Sequence, residues 1–376
     1  MTIPHTPPET ANPARLAIVG GGWRSEVYLR LAQDLPERFE VTGLYSRSAE
    51  KRESAARRFG TGAADSLDAL MSKGAPEFVL VAIPWPAAPE VTAEIAERGV
   101  AVLEETPPAP DVDAMRRLWE RIGDRDLVQV ADQSMYMPSH LARLAIVRDG
   151  VIGTPTSVHV SSNHLYHAVS IMRGLLGAGK GCTAVDAREF VSPVVDPISF
   201  DGFTADPSLV NRVTTLAMID FGNGKSGLYD FTENQWFNPL RQRRLLIRGT
   251  RGEILDERVA YLEDETTVIE SRIVRRQTGI DHNLEGFSLD NIAFNGRAVY
   301  RNTFAAARQS DEDIAVATLV QAMAMWVRGQ GPAPYPLADG LQDHLVGLAI
   351  QESARVGVTM KTSEEAWSTA ASPFDS

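Results

Sequence analysis

The stretch Arg15–Leu35 reads RLAIVGGGWRSEVYLRLAQDL. Leu16–Val19 is a short apolar run of strand type, and Gly20, Gly21 and Gly22 follow at once. Tyr28, Leu31, Ala32 and Leu35 then recur at i, i+3, i+4 and i+7, the spacing of one helix face. Strand, glycine turn and helix in that order form the first half of a dinucleotide-binding βαβ unit. Side chains are excluded from such a turn because the backbone must come close to a pyrophosphate. The helix behind it points free N–H groups and its positive dipole end at the phosphates. The fingerprint GxGxxG or GxGxxA appears as Gly20-x-Gly22-x-x-Ser25, and serine is small enough for close helix–strand packing. Trp23 and Arg24 lie inside the turn.

The downstream sequence supplies the context that a lone glycine turn lacks. Phe39–Tyr45 is a second apolar run, followed by a charged helix over Glu50–Phe59 and a short one over Ser66–Met71, capped by Asp65 or Ser66 and stopped at Gly74. Phe78–Ala82 is continuously apolar, as a strand covered on both faces should be. Ile83-Pro84-Trp85-Pro86 breaks the chain there. Helices over Pro89–Arg98 and Asp111–Ile122 bracket the strand Val100–Leu103, and Leu127–Ala131 is a last strand. This alternation implies a parallel, doubly wound sheet. Ser46-Arg47 stands where an acid would bind the ribose 2′-hydroxyl of NAD. A hydroxyl and a guanidinium accept a 2′-phosphate, so the reading favours NADP(H) over NAD(H), with Arg47 as a solvated charge the alternative.

Beyond Pro138, which opens a helix reaching Asp149, the pattern changes to strands and tight turns. Thr156–Ser162 is a strand. Leu216–Phe221 and Ser226–Phe231 flank Gly222–Lys225, and Leu245–Arg248 and Glu253–Leu255 flank Gly249–Gly252. Val259–Leu262 and Thr266–Ile273 continue the series, and helices over Asp311–Arg328 and Asp339–Val356 close it. The fold class expected is α/β: an N-terminal Rossmann sheet and a C-terminal α+β domain with an open, largely antiparallel sheet. The division expected is a lead-in over 1–13, a dinucleotide domain over 14–134, a substrate and oligomerisation domain over 135–361, and a loose tail over 362–376.

Composition narrows the function classes. A chain of 376 residues can bury two cores. Its 37 basic and 49 acidic residues give a net charge of −12, which argues against nucleic acid or an anionic membrane as the main ligand. No apolar run approaches the roughly 20 residues of a membrane span. The one cysteine, Cys182, excludes an internal disulfide framework, fits a reducing cytoplasm, and reads as a small buried hydrophobe. No histidine, acid or cysteine spacing supports a metal site, and no nucleophile elbow supports a serine hydrolase.

The chain resembles the Gfo/Idh/MocA oxidoreductases over nearly its whole length. The resemblance rests on the GGGWRS turn, Glu105-x-Pro107, RDGVIGTPT at Arg148–Thr156, the YHAVSIMRGLLG segment and the closing PLADGLQDHLVGLAIQESARVG. It implies hydride chemistry on hydroxyls of sugars, cyclitols or related alcohols with NAD or NADP, and a C-terminal sheet that supports homo-oligomers. The family's Glu-Lys-Pro is here Glu105-Thr106-Pro107, so the lysine that contacts the reacting oxygen is replaced by Thr106. The family's aspartate aligns with Asn163, four residues before His167 on the family's histidine position. Ser170 and Ala88 replace a further acid and a further histidine.

Asn163-His164-Leu165-Tyr166-His167 is the densest cluster of proton-transfer groups in the chain. On a helix Asn163 and His167 would share a face, while Tyr166 would point elsewhere. Imidazole titrates nearest neutral pH, so His167 can take a hydroxyl proton as hydride leaves the same carbon. Without the resemblance, His164 and His167 read better as satisfied interior histidines. Trp23, Trp85 and Pro84 stand at strand ends where the cofactor crevice should be, to wall a ring or simply to pack. Trp236, in the loop Glu233–Pro239, suits a polyol or a wet interdomain loop. The set expected is therefore His167, Asn163 and Thr106 at the chemistry; Gly20, Gly22, Trp23, Arg24, Ser46, Arg47, Pro84, Trp85 and Glu105 at the cofactor; and His164, Tyr166 and Trp236 at a small-molecule substrate. Three functions compete: a simple dehydrogenase, a redox-assisted lyase or glycoside-cleaving enzyme that recycles its cofactor, and a dinucleotide-binding protein without catalysis.

Overall fold

The structure, a computed structural model, describes residues 12–199, 202–279, 283–305 and 307–371. Residues 1–11 of the expected lead-in and 372–376 of the expected tail lie outside the described residues.

The first half runs β1 (Ala14–Val19), α1 (Trp23–Asp34), β2 (Phe39–Tyr45), α2 (Ala49–Phe59), β3 (Ala63–Ala64), α3 (Leu67–Gly74), β4 (Phe78–Val81), α4 (Ala88–Glu97), β5 (Ala101–Glu104), α5 (Val112–Ile122) and β6 (Val128–Val130). The strands form one parallel sheet in the order β3-β2-β1-β4-β5-β6. Only the two-residue β3 had no counterpart in the sequence pattern. The strand order reverses between β1 and β4, and ligands of such sheets bind at the carboxyl ends of those strands. Helix starts mark the same place. Ser48, Ser66 and Asp111 cap α2, α3 and α5 by accepting backbone N–H bonds. The helices that follow β1 and β4 have no side-chain cap, so their first N–H groups have no side-chain acceptor there.

The second half contains α6 (Pro138–Arg148), β7 (Pro155–Ser161), α7 (Leu165–Leu176), β8 (Ala184–Val195), β9 (Ile198–Ser199), β10 (Gly202–Phe203), β11 (Leu209–Asp220), β12 (Ser226–Thr232), β13 (Arg244–Gly249), β14 (Gly252–Leu255), β15 (Arg258–Leu262), β16 (Val268–Thr278), β17 (Ser288–Phe294), β18 (Arg297–Arg301), α8 (Asp311–Val327), α9 (Leu337–Val356) and β19 (Met360–Lys361). Its main sheet has eleven strands in the order β18-β17-β16-β15-β14-β13-β7-β12-β11-β8-β19. Its pairs are antiparallel except β7 with β12.

Buried ions fix α7 against α9. Arg173 donates to Asp343 at 2.6 Å and to Asp339 at 2.9 Å, with all three side chains nearly inaccessible. The Tyr335 hydroxyl donates to the other Asp343 oxygen. Such charges are tolerated in the interior only when paired and hydrogen-bonded.

Three sequence expectations change. Helix α8, assigned by sequence to the second domain, lies against α1 and β1 of the first. Arg30–Asp313 and Arg328–Glu77 ion pairs hold it there. The chain then returns to β6, where Val130 N–H donates to the Tyr335 carbonyl at 2.8 Å. The loose tail is also corrected over its described part. Trp367 is fully buried, stands edge-on to Trp119 and donates to Gln342. One large aromatic in a polar stretch carries no periodicity that would reveal this. Cys182, read as a buried hydrophobe, is exposed.

Candidate active site

The glycine turn has the geometry of a phosphate cradle. Gly20 has φ +145°, and a Cβ there would sit 2.2 Å from the Ala82 carbonyl oxygen. Ser25 packs beneath it, 1% exposed, which excludes anything larger. A Cβ on Gly22 would meet nothing within 4 Å, so a side chain there would fill the cradle at the start of α1. These residues fit a dinucleotide pyrophosphate. A Cβ on Gly21 would touch Ser46 and Lys51, which sets the end of β2 beside the turn. Arg47 is exposed there. Arg52 turns back to donate to the Ser46 carbonyl at 2.9 Å and to Asp65 at 3.0 Å. Pro84 and Trp85 follow β4, and Trp85 and Trp23 are 50% and 71% exposed, projecting from this edge instead of packing inside.

Glu105 follows β5 and is gripped by two residues of α1. Arg24 Nε donates to it at 2.6 Å and the Tyr28 hydroxyl donates to the same oxygen. Burial works against the Arg24 charge, but Glu105 outweighs it and raises the pKa. Arg24 therefore braces Glu105, and it reaches across to Gln133 at 3.0 Å. Thr106 lies near Tyr166, and burial raises the Tyr166 pKa, so the phenol keeps its proton.

His167 receives its acid from an unexpected place. Helix α7 begins at Leu165 with His164 at its N-cap, so Asn163 precedes the helix and does not share a face with His167. Asn163 instead accepts from Ser162 at 2.7 Å. The partner of His167 is Asp132, just beyond β6: its Oδ1 lies 3.1 Å from Nδ1, and Ser134 Oγ lies 3.1 Å from the same nitrogen. Burial would raise the Asp132 pKa, but His167 and the Ser134 N–H outweigh it and hold the pKa low. An ionised carboxylate only accepts, so Nδ1 carries the proton and Nε2 is left as the base. Sequence reasoning missed Asp132 and Ser134. The available signal was position, the first polar residues after a parallel strand's carboxyl end.

Tyr166, expected to point away, has its ring 4.4 Å from that of His167. His164 joins them at 5.1 Å from His167 and 5.2 Å from Trp236, which stacks on Phe231. The other polar groups of the Trp236 loop are structural: Gln235 bonds to Ser161 and Asn238 to Val195, both buried. A cavity of ≈ 550 Å³ opens beside this cluster, with Ser134, Asn163 and Trp236 in its wall. Among the described residues, no group of three or more His, Cys, Asp or Glu is placed to hold a metal, and no helix is long and apolar enough to cross a membrane.

Comparison with known proteins agrees with this geometry. Residues 14–131 match the model of the Gfo/Idh/MocA oxidoreductase family, described as an NAD-binding Rossmann fold. No curated protein sequence matches the chain. The fold is similar to an oxidoreductase from Agrobacterium radiobacter in complex with NAD+, L-tartaric acid and magnesium (TM-score 0.68, 15% identity, 93% of this chain and 98% of that one). It is similar to levoglucosan dehydrogenase in complex with NADH and levoglucosan (0.66, 20%, 93% and 100%). It is also similar to a myo-inositol dehydrogenase from Corynebacterium glutamicum (0.62, 18%, 93% and 98%).

Burial pushes His140, His164 and His344 each down to about 4. The unfolded chain binds these protons near pH 6.5 and the folded chain does not, so stability falls as pH drops from 6.5 to 4. Each site contributes a slope of roughly 1.4 kcal/mol per pH unit. Chemical denaturation at pH 7.5, 6.5, 5.5 and 4.5 should show this loss, reduced by about one proton in His164→Gln. A flat profile would contradict the assignment.

Proposed function

Because its N-terminal domain belongs to the Gfo/Idh/MocA oxidoreductase family, with that family's NAD-binding Rossmann fold, we propose that the protein is an NAD(P)-dependent oxidoreductase. It acts on a hydroxyl or carbonyl of a sugar-like or polyol-like molecule. The observation that carries this reading is the Asp132–His167 pair at the carboxyl end of β6, beside a cavity and on the same sheet as the glycine turn after β1.

The dinucleotide supplies the hydride acceptor or donor. The chain's own groups handle the proton. His167 Nε2 takes the proton of the reacting hydroxyl, and Asp132, fixed at Nδ1, stabilises the imidazolium that results. Asn163, in the cavity wall, orients substrate hydroxyls. Thr106 cannot supply a lysine's charge, and the protonated Tyr166 beside it serves as the neutral donor to the substrate oxygen. The likeness to levoglucosan and myo-inositol dehydrogenases supports a polyhydroxylated substrate. Asp132 also favours catalysis over inert binding, since it restores the acid that Asn163 does not provide.

Three further assignments belong to this reading. Ser46, Arg47 and Lys51 around the end of β2, with no acid at the strand end, support NADP(H) over NAD(H). The outer face of the large sheet exposes Leu216, Met218 and Leu228, a surface suited to a second copy of the chain. The free cysteine, Cys182, is consistent with a reducing cytoplasm.

His167→Asn should leave dinucleotide affinity intact by calorimetry and lower turnover by roughly 10²–10⁴, followed by reduced-nicotinamide absorbance. Full activity would return His167 to a packing role. Arg47→Ala should weaken NADP more than NAD by roughly 1.5–3 kcal/mol, and equal losses would show that Arg47 does not read the 2′ position.

A further inference from the structure

We propose that the cavity beside His167 is an anion-recognising subsite centred on Arg143, so that the substrate is a polyhydroxylated molecule carrying a carboxylate or phosphate. This inference rests on the oxidoreductase reading above and narrows its substrate class.

The cavity, ≈ 550 Å³, has the size of a small-molecule site. Arg143 lies in its wall and is 7% exposed. Its Nε donates to the Asp256 carbonyl at 3.0 Å and its Nη1 to the Ser139 carbonyl at 3.0 Å. Both acceptors are neutral, and among the described residues Arg143 has no ion pair. Burial accordingly lowers its pKa, while Glu257 and Asp256 oppose this only through space. A buried guanidinium without a bonded counter-charge is costly. Its planar fork matches a carboxylate or a phosphate.

Two of the three carboxylates in the wall have hydrogen-bond partners. Asp256 accepts from the Leu245 N–H at 2.9 Å. Glu312 accepts from Gln133 at 2.9 Å and lies 3.7 Å from Arg24. Glu257 is exposed. Two further cations, Arg243 and Arg244, stand in the wall, the first donating to the Trp236 carbonyl and the second to Asp230.

The neighbour of Arg143 on α6 completes the site. His140, one turn earlier, is 8% exposed and its Nδ1 lies 2.7 Å from the Ser134 carbonyl. A carbonyl only accepts, so Nδ1 carries the proton and the neutral ring offers Nε2 to a substrate hydroxyl. Ser134 thus holds His140 through its carbonyl and His167 through its hydroxyl. One small molecule can place its anion at Arg143, a hydroxyl at His140 and its reacting carbon near His167.

The test is calorimetry on the full chain saturated with its dinucleotide, titrated with D-gluconate, D-glucose 6-phosphate and uncharged myo-inositol. The expected result is that one of the two anions binds at least tenfold tighter than myo-inositol, and which one identifies the group as carboxylate or phosphate. Arg143→Gln should abolish that preference. Arg143→Lys, which keeps the charge but not the fork, should retain part of it and guards against a folding defect in the first variant. Equal binding of anions and myo-inositol, no anion binding, or a preference that survives in both variants would overturn the subsite. Failure of the wild-type chain to bind either dinucleotide would strike the oxidoreductase reading instead.

Discussion

The contact between Asp132 and His167 joins the two halves of the molecule at the carboxyl end of the parallel sheet. Asp132 is 2% exposed, and a carboxylate that deep is tolerable only with partners. It has the His167 imidazole and the Ser134 N–H. One partner comes from the turn after the parallel sheet and the other from α7 of the second half. The position of α7 therefore matters as much as that of β6. Arg173, one and a half turns further along α7, locks the helix to Asp339 and Asp343 of α9. The Tyr335 carbonyl, just before α9, is bonded to β6 in turn. A closed circuit of buried polar contacts thus holds the base in register with the cofactor edge.

The altered motif Glu105-Thr106-Pro107 is consistent with that circuit. One oxygen of Glu105 accepts from both Arg24 and Tyr28, so its side chain organises the start of α1. Thr106 lies near Tyr166, a phenol whose pKa is raised by burial. A neutral phenol and a carboxylate-backed imidazole therefore stand side by side there.

Much of the fold was legible because its signals are local. An apolar run, a glycine turn and a 3.6-residue period identified β1 and α1, and Ser66 and Asp111 announced helix starts that the structure confirms. Strands β8 and β17 escaped because neither keeps a clean alternation: Arg188–Val191 of β8 are exposed on both faces, and Asp290 and Asn291 of β17 put polar groups on both. The β17–β18 turn was readable in principle: Asn295-Gly296, both at positive φ, is a strong hairpin signal. His167 and Thr106 were found through resemblance and position. Asp132, His140 and Arg143 were not, since their roles arise only when β6, α6 and α7 converge, and nothing in the spacing of residues 132, 140 and 167 records that meeting. The helical pairing of Asn163 with His167 failed because α7 starts two residues later.

The protonation geometry of His167 is the feature on which the account stands, and nitrogen-15 NMR of the imidazole in the dinucleotide-saturated protein reads it directly. The account predicts, for the neutral ring, a proton on Nδ1 held by Asp132 and a bare Nε2, with the tautomer balance disturbed in Asp132→Asn. A neutral ring protonated on Nε2, unchanged when Asp132 is replaced, would contradict it.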